Sequence, residues 1–193
     1  MKLKSIKIKK YKLIRLYLTK YEVYKVGTDL LESVDVILDR IEIGLKKVLF
    51  VIHQYHFFNK TILFVGLPES KDEKLLRTFL TSRHIFIPSF TWERGLLGNK
   101  SSVSKKAETS IYFRRLFEVK NNPHLIVLFN ESKLDNILSE CEKLSIPVIY
   151  LGNPLSNQKG ISYTIEGNFK KNKMKIFFQF LIYSIIKCKP FQF

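Results

Sequence analysis

Leu125-Ile126-Val127-Leu128-Phe129, a helical pattern from Leu134 to Leu144, and Pro147-Val148-Ile149-Tyr150-Leu151 together decide the fold. The two apolar runs are too short for stable helices. They lack the polar alternation of a half-exposed strand, so they read as strands buried on both faces. Between them Leu134, Ile137, Leu138, Cys141 and Leu144 recur at three- and four-residue steps, which puts them on one inward helix face. Strand, helix and strand in this succession predict parallel pairing within a sheet that helices cover.

The pattern continues in both directions. Upstream, a helix is expected from about Ser33 to Phe57, with Val34, Ile37, Leu38, Ile41, Leu45, Val48, Leu49 and Ile52 on one face. Thr61-Ile62-Leu63-Phe64-Val65-Gly66 is a buried strand ended by Gly, Ser70 is a helix N-cap, and Ile85-Phe86-Ile87 is a strand stopped by Pro88. Residues 89–104 are irregular, and a helix is expected from roughly Ser104 to Lys120. Downstream, Ile161 to Ile165 is a short fifth strand and Lys171 to Lys187 a final helix. The expected fold is α/β: a Rossmann-like, three-layer parallel sheet with helices on both faces and right-handed crossovers. Residues 1–26 form a basic N-terminal extension, and 27–193 a single domain with one core.

The chain carries 33 Lys and Arg against 17 Asp and Glu, a formal net charge of +16. An enzyme acting on small neutral substrates has no use for that surplus. A polyanion relieves the self-repulsion, and phosphate neutralisation by Lys and Arg supplies most sequence-independent affinity for nucleic acid. Cys141 and Cys188 form no CxxC pair, so two free thiols in a reducing compartment, with no disulfide partner, are expected. The most apolar late stretch, Ile176 to Ile186, is shorter than the ~20 residues that span a bilayer, so no membrane span is expected. Met1 to Lys25 holds many Lys, one Arg (Arg15) and Glu22, a poor import presequence. The lean towards Lys, Ile, Phe, Asn and Tyr suits an AT-rich genome, and an organelle-encoded protein needs no import signal.

Chemistry-bearing groups are sparse. His53 and His56 form an isolated His-x-x-His with no third ligand nearby, so no metal is expected. Gly66-Leu67-Pro68-Glu69-Ser70 sits where doubly wound folds bind phosphates. It lacks a Gly-rich or Gly-Lys-Ser/Thr loop, Pro68 removes a donor and Glu69 repels phosphate, so no nucleotide cofactor is expected. No Ser-His-Asp, Cys-His or paired-carboxylate set is recognisable, so no enzymatic activity is expected. Arg94, Lys100, Lys105, Lys106, Arg114 and Arg115 cluster around the irregular stretch and the helix after it. They read either as a backbone-directed RNA footprint or as a solvated charged face. Lys2, Lys4, Lys7, Lys9, Lys10 and Lys12 read either as an arm that folds on RNA or as a solubilising tail.

Four blocks, in order, resemble one family, that of the second small-subunit protein of bacterial-type ribosomes. They are Ile62 to Gly66 after the long helix; Trp92-Glu93-Arg94-Gly95-Leu96-Leu97-Gly98-Asn99; Asn122-Pro123-His124-Leu125-Ile126; and Glu140 to Ile149, continuing through Gly160 and Tyr163 to Gly167-Asn168. The second block is similar to the family's Trp-Leu-Gly-Gly-x-Leu-Thr-Asn signature, with Arg94 in place of the first Gly and Gly98 in place of Thr. In bacterial relatives a long helical hairpin separates this signature from the Pro-Asp strand. Here only 23 residues, 100–122, intervene. At about 1.5 Å per residue they make one helix of at most ~35 Å, so a shortened or absent hairpin insertion is expected.

The resemblance implies a structural constituent of the small subunit of an organellar ribosome, mitochondrial given the drift from the family pattern. Its partners would be small-subunit rRNA and other small-subunit ribosomal proteins. The candidate RNA-binding residues are Arg94, Gly95, Asn99, Lys100, Lys105, Lys106, Arg114 and Arg115, whose RNA reading the resemblance favours, together with the six N-terminal lysines, read from their charge alone. The structural signature is Trp92, Gly66, Pro123, Pro147, Gly167 and Asn168. Trp92 reads either as the anchor of a loop whose backbone near Gly95 approaches phosphates or as a plain core aromatic. The competing functions are a nucleotide-binding α/β enzyme and a peripheral membrane protein held by the basic N-terminus.

Overall fold

A computed structural model describes residues 34–67, 73–87, 92, 95–98, 122–129, 134–152, 160–165 and 172–188. In order, the described elements are α1 (Val34–Phe57), β1 (Ile62–Val65), α2 (Glu73–Thr81), β2 (Ile85–Ile87), β3 (Leu125–Phe129), α3 (Leu134–Lys143), β4 (Val148–Leu151), β5 (Tyr163–Ile165) and α4 (Asn172–Ile186). The five strands form one sheet in the order β2-β1-β3-β4-β5, every pair parallel. This is a doubly wound order, with the topological switch between β1 and β3. The expected α/β class is correct. The expected N-cap at Ser70, the stop at Pro88, the helix at 104–120 and the shortened insertion lie outside the described residues.

β1, β3 and β4 are buried at every position, as central parallel strands must be when helices cover both faces. Their side chains alternate between two cores. Leu63, Val65, Ile126, Leu128, Val148 and Tyr150 face the core closed by α3, Trp92, Leu96 and Leu97. Ile62, Phe64, Leu125, Val127, Phe129, Ile149 and Leu151 face the core closed by α1, α4 and Phe79 of α2. On α3 the expected inward residues Leu134, Ile137, Leu138 and Cys141 are buried, and Leu144 packs against their core. On α1 the expected Leu45, Val48, Leu49 and Ile52 are buried. The fifth strand is shorter than expected. It begins at Tyr163, and the Ser162 amide donates to the Val148 carbonyl at 2.8 Å just before it.

Two helices stop on the same device. Asn59 (φ 60°) follows α1, with Lys60 N–H donating to Tyr55 O at 2.9 Å and Asn59 N–H to His56 O at 3.1 Å. Ser145 (φ 53°) follows α3, with Ile146 N–H donating to Cys141 O at 2.9 Å and Ser145 N–H to Glu142 O at 3.1 Å. Both are Schellman caps built on a left-handed residue. Each turns the chain directly into a strand, β1 or β4, so these short loops at the strand-start end of the sheet are fixed by hydrogen bonds.

Candidate nucleic-acid interface

Of the expected signature residues, Trp92, Gly66, Pro123 and Pro147 are described, and each has a physical task. Trp92 is fully buried in the α3-side core. Gly66 ends β1 with φ +90°, a conformation L side chains rarely adopt. A Cβ there would lie 2.9 Å from the Phe129 carbonyl oxygen of the neighbouring strand. Its N–H donates to Ile87 O at 2.9 Å, and its carbonyl accepts from buried Lys175 Nζ at 2.8 Å. Gly66 therefore joins β1, β2, β3 and α4 at the switch point, where a Rossmann-type protein would seat a phosphate. Pro123 is buried ahead of β3, and the Pro147 carbonyl accepts from Ile126 N–H at 3.1 Å, opening the β3–β4 ladder.

The Trp-containing loop is pinned by a residue to which the sequence assigned no role. Glu140, on α3, accepts from Gly95 N–H at 2.8 Å through one carboxylate oxygen and from Leu97 N–H at 3.1 Å through the other. Gly95 has φ +85°. Its left-handed backbone aims both donors at one point, the geometry of an anion nest. Leu96 and Leu97 beside it are buried with Trp92. Gly95 N–H is thus committed to Glu140 rather than available to a phosphate. The signal in the sequence was a carboxylate flanking the apolar stripe of α3, next to Cys141.

Gly167 and Asn168 lie outside the described residues. So do Lys2, Lys4, Lys7, Lys9, Lys10, Lys12, Arg94, Asn99, Lys100, Lys105, Lys106, Arg114 and Arg115, and the expectation that they bind RNA stands on the sequence.

The His-x-x-His pair separates. His53 stacks on Phe57, with ring centroids 6.1 Å apart. His56 meets a residue the sequence reading passed over, His84, just before β2. Ile62 N–H donates to His84 Nδ1 at 3.2 Å, so the neutral ring carries its proton on Nε2. That proton is donated to His56 Nδ1 at 2.8 Å, and His56 Nε2–H donates to the Cys188 carbonyl at 2.8 Å. The relay ties the ends of α1 and α4 to the starts of β1 and β2. Burial, aided by the neighbouring His56 and Arg83, pushes His84 down to about 3. Burial also lowers His56, although its bond to Cys188 O acts the other way. Among the described residues no group of three or more His, Cys, Asp or Glu is placed to hold a metal ion. Burial, with Glu140 adjacent, pushes the Cys141 thiol up to about 12, so it stays protonated. Both cysteines are free thiols, and no described helix is long and apolar enough to cross a membrane.

No curated protein matches the chain in sequence. The model of one protein family, described as Ribosomal protein S2, matches residues 106–187.

Proposed function

We propose that the chain is a member of the ribosomal protein S2 family, a structural rather than enzymatic family of the small ribosomal subunit whose model matches its residues 106–187, and that it is a constituent of a mitochondrial small subunit, held on small-subunit rRNA and on neighbouring ribosomal proteins. The observation that carries the reading is that match. It runs continuously from the basic 106–120 stretch through β3, α3, β4, β5 and α4. The net charge of +16 supports a polyanionic partner. The AT-rich-codon composition supports an organellar gene.

In this reading the buried sheet is a rigid wedge. Arg94, Lys100, Lys105, Lys106, Arg114 and Arg115, together with the N-terminal lysines, neutralise phosphates. Trp92 and the Gly95–Leu97 segment, clamped by Glu140, form a fixed base beside these proposed contacts in the sequence. Backbone contacts of this kind position the protein on RNA without reading its sequence.

Gradient sedimentation of mitochondrial lysate, with the chain tracked, tests the reading. Co-migration with small subunits, lost at high salt or after ribonuclease, is the expected result. A light, RNA-free peak would overturn it. Replacing Lys105, Lys106, Arg114 and Arg115 together should weaken rRNA binding and flatten its salt dependence by up to ~4 units of log–log slope. An unchanged slope would remove that patch from the interface.

A further inference from the structure

We propose that the outer surface of the α1–α4 layer is a docking site for a second protein, an amphipathic helix with an apolar spine and acidic flanks. The proposal rests on the ribosomal reading and deepens it, because it says where a protein neighbour sits.

α1 turns Leu45, Val48, Leu49 and Ile52 to the sheet. Its opposite face should be polar, yet Ile43 and Phe50 lie there about half exposed, at 53% and 52%. Phe57 follows at the same seven-residue step, and this spacing holds all three on one stripe. On α4, which packs alongside α1, Ile176 and Phe180 are exposed and Tyr183 half-buried, again on one face. Phe58, just past α1, and Leu80 of α2 extend the apolar surface. Lone apolar residues on a surface are ordinary, but aligned stripes on two adjoining helices form a patch, and patches mark interfaces.

Charge selects the occupant. Lys46, Lys47, Lys60, Arg77, Arg83 and Lys187 are exposed on or beside these helices. Among the described side chains of α1, α2 and α4 the only carboxylate is Glu42, already paired with Lys46 at 2.6 Å. A second copy of the chain, or its own basic segment 1–26 with Glu22 as sole acid, would bring cation to cation. RNA suits the charge, and Phe50, Phe58 and Phe180 offer rings for bases, but Ile43, Leu80 and Ile176 are aliphatic and offer none, whereas an apolar helix spine packs on all six. A helix with apolar residues along its centre and Asp or Glu at its edges satisfies both features, an apolar core within a polar rim.

Carbodiimide joins an amine to a carboxylate in contact, and applied to purified small subunits it reads this contact directly. The expected result is that Lys46 or Lys47, and Lys187, link to acidic residues of one and the same neighbouring protein. The double substitution F50E/F180E should then lower that neighbour's yield in purified subunits about tenfold or more while the chain itself stays bound to rRNA. The docking site falls if the chain is present in small subunits and these lysines link to no partner. It also falls if ultraviolet light joins the Phe50 or Phe180 peptides to rRNA. Absence of the chain from small subunits would overturn the underlying reading, and the docking site with it.

Discussion

On one side of the sheet, α3 turns Leu134, Ile137, Leu138 and Cys141 inward and presents Asp135, Ser139, Glu142 and Lys143 to solvent. On the other side, α1 and α4 bury one apolar face and expose another. Both layers rest on strands of the same composition, so the inner faces had the same requirement to meet. The outer faces differ: that of α3 is polar, as water favours, whereas those of α1 and α4 carry aligned apolar residues of the kind that mark interfaces. The two layers are also fastened differently. A carboxylate on α3 holds the Trp loop, whereas Lys175 and a neutral histidine relay hold α4 and α1 to the sheet. Each fastening can be removed separately, which allows the layers to be compared by experiment.

The largest effect is expected at the point where α4 meets three strands. Gly66→Ala puts a methyl group 2.9 Å from a backbone oxygen at a φ of +90°. Forcing that conformation on a residue with a Cβ should cost about 3 kcal/mol or more of stability. Urea denaturation measures it, and amide exchange locates it. Loss of protection on α4 ahead of α3 would sharpen the contrast between the layers. A change under ~1 kcal/mol would show that the strand ends separate easily.

Acid should act on the α1–α4 side first. The native pKa of His84, about 3, lies below its ordinary 6.5. Between these values the unfolded chain binds a proton that the native chain does not. The contribution is therefore complete above pH 6.5 and is lost as pH falls towards 3, by about 1.4 kcal/mol per unit. From His84 alone this amounts to ~2 kcal/mol by pH 5, and His56 acts in the same direction. Protonating either ring puts a second donor where an acceptor is needed, against Ile62 N–H or His84 Nε2–H. Urea midpoints from pH 7.5 to 5 should fall steeply in the native chain and less steeply in His84→Phe. Equal slopes would place the acid sensitivity elsewhere.

On the α3 side the counterpart is Glu140→Ala, with an expected cost of ~1–2 kcal/mol. The loss should be local. The amides of Gly95 and Leu97 would exchange faster, and Trp92 fluorescence would shift towards that of a wetter indole. Glu140→Gln keeps one acceptor and should fall between native and Ala. If neither variant changes exchange at these two amides, the clamp does not hold the loop in solution.

The sheet was legible because burial on both faces leaves a continuous apolar run, and the caps that close α1 and α3 sit between such runs. Hydrogen bonds between distant polar residues leave no periodic trace. His53 and His56 looked like a pair because they are three residues apart, but the partner of His56 is His84, 28 residues away and ordinary in its local context. Glu140 bonds two backbone amides more than 40 residues upstream, and backbone donors have no letter in a sequence. Lys175 is one cation among many in the sequence, although its ammonium group is bound to the Gly66 carbonyl. The basic residues proposed to meet RNA were the reverse case. Composition and resemblance pointed to them, while all of their positions lie outside the described structure.

The smallest expected effect bears most directly on the contrast between layers. Phe50→Gln and Phe180→Gln alter side chains that are about half exposed and face away from the sheet. In the free chain each should change stability by no more than ~0.5 kcal/mol, the range of surface substitutions remote from a packed feature. Ile182→Gln, on the buried face of the same helix, should cost several times as much, because an amide loses its water there. If Phe50→Gln and Phe180→Gln proved as damaging as Ile182→Gln, those rings would be serving the chain's own core. If they leave the free chain intact, the apolar exterior of α1 and α4 contributes nothing to folding, and its composition answers to whatever lies against it.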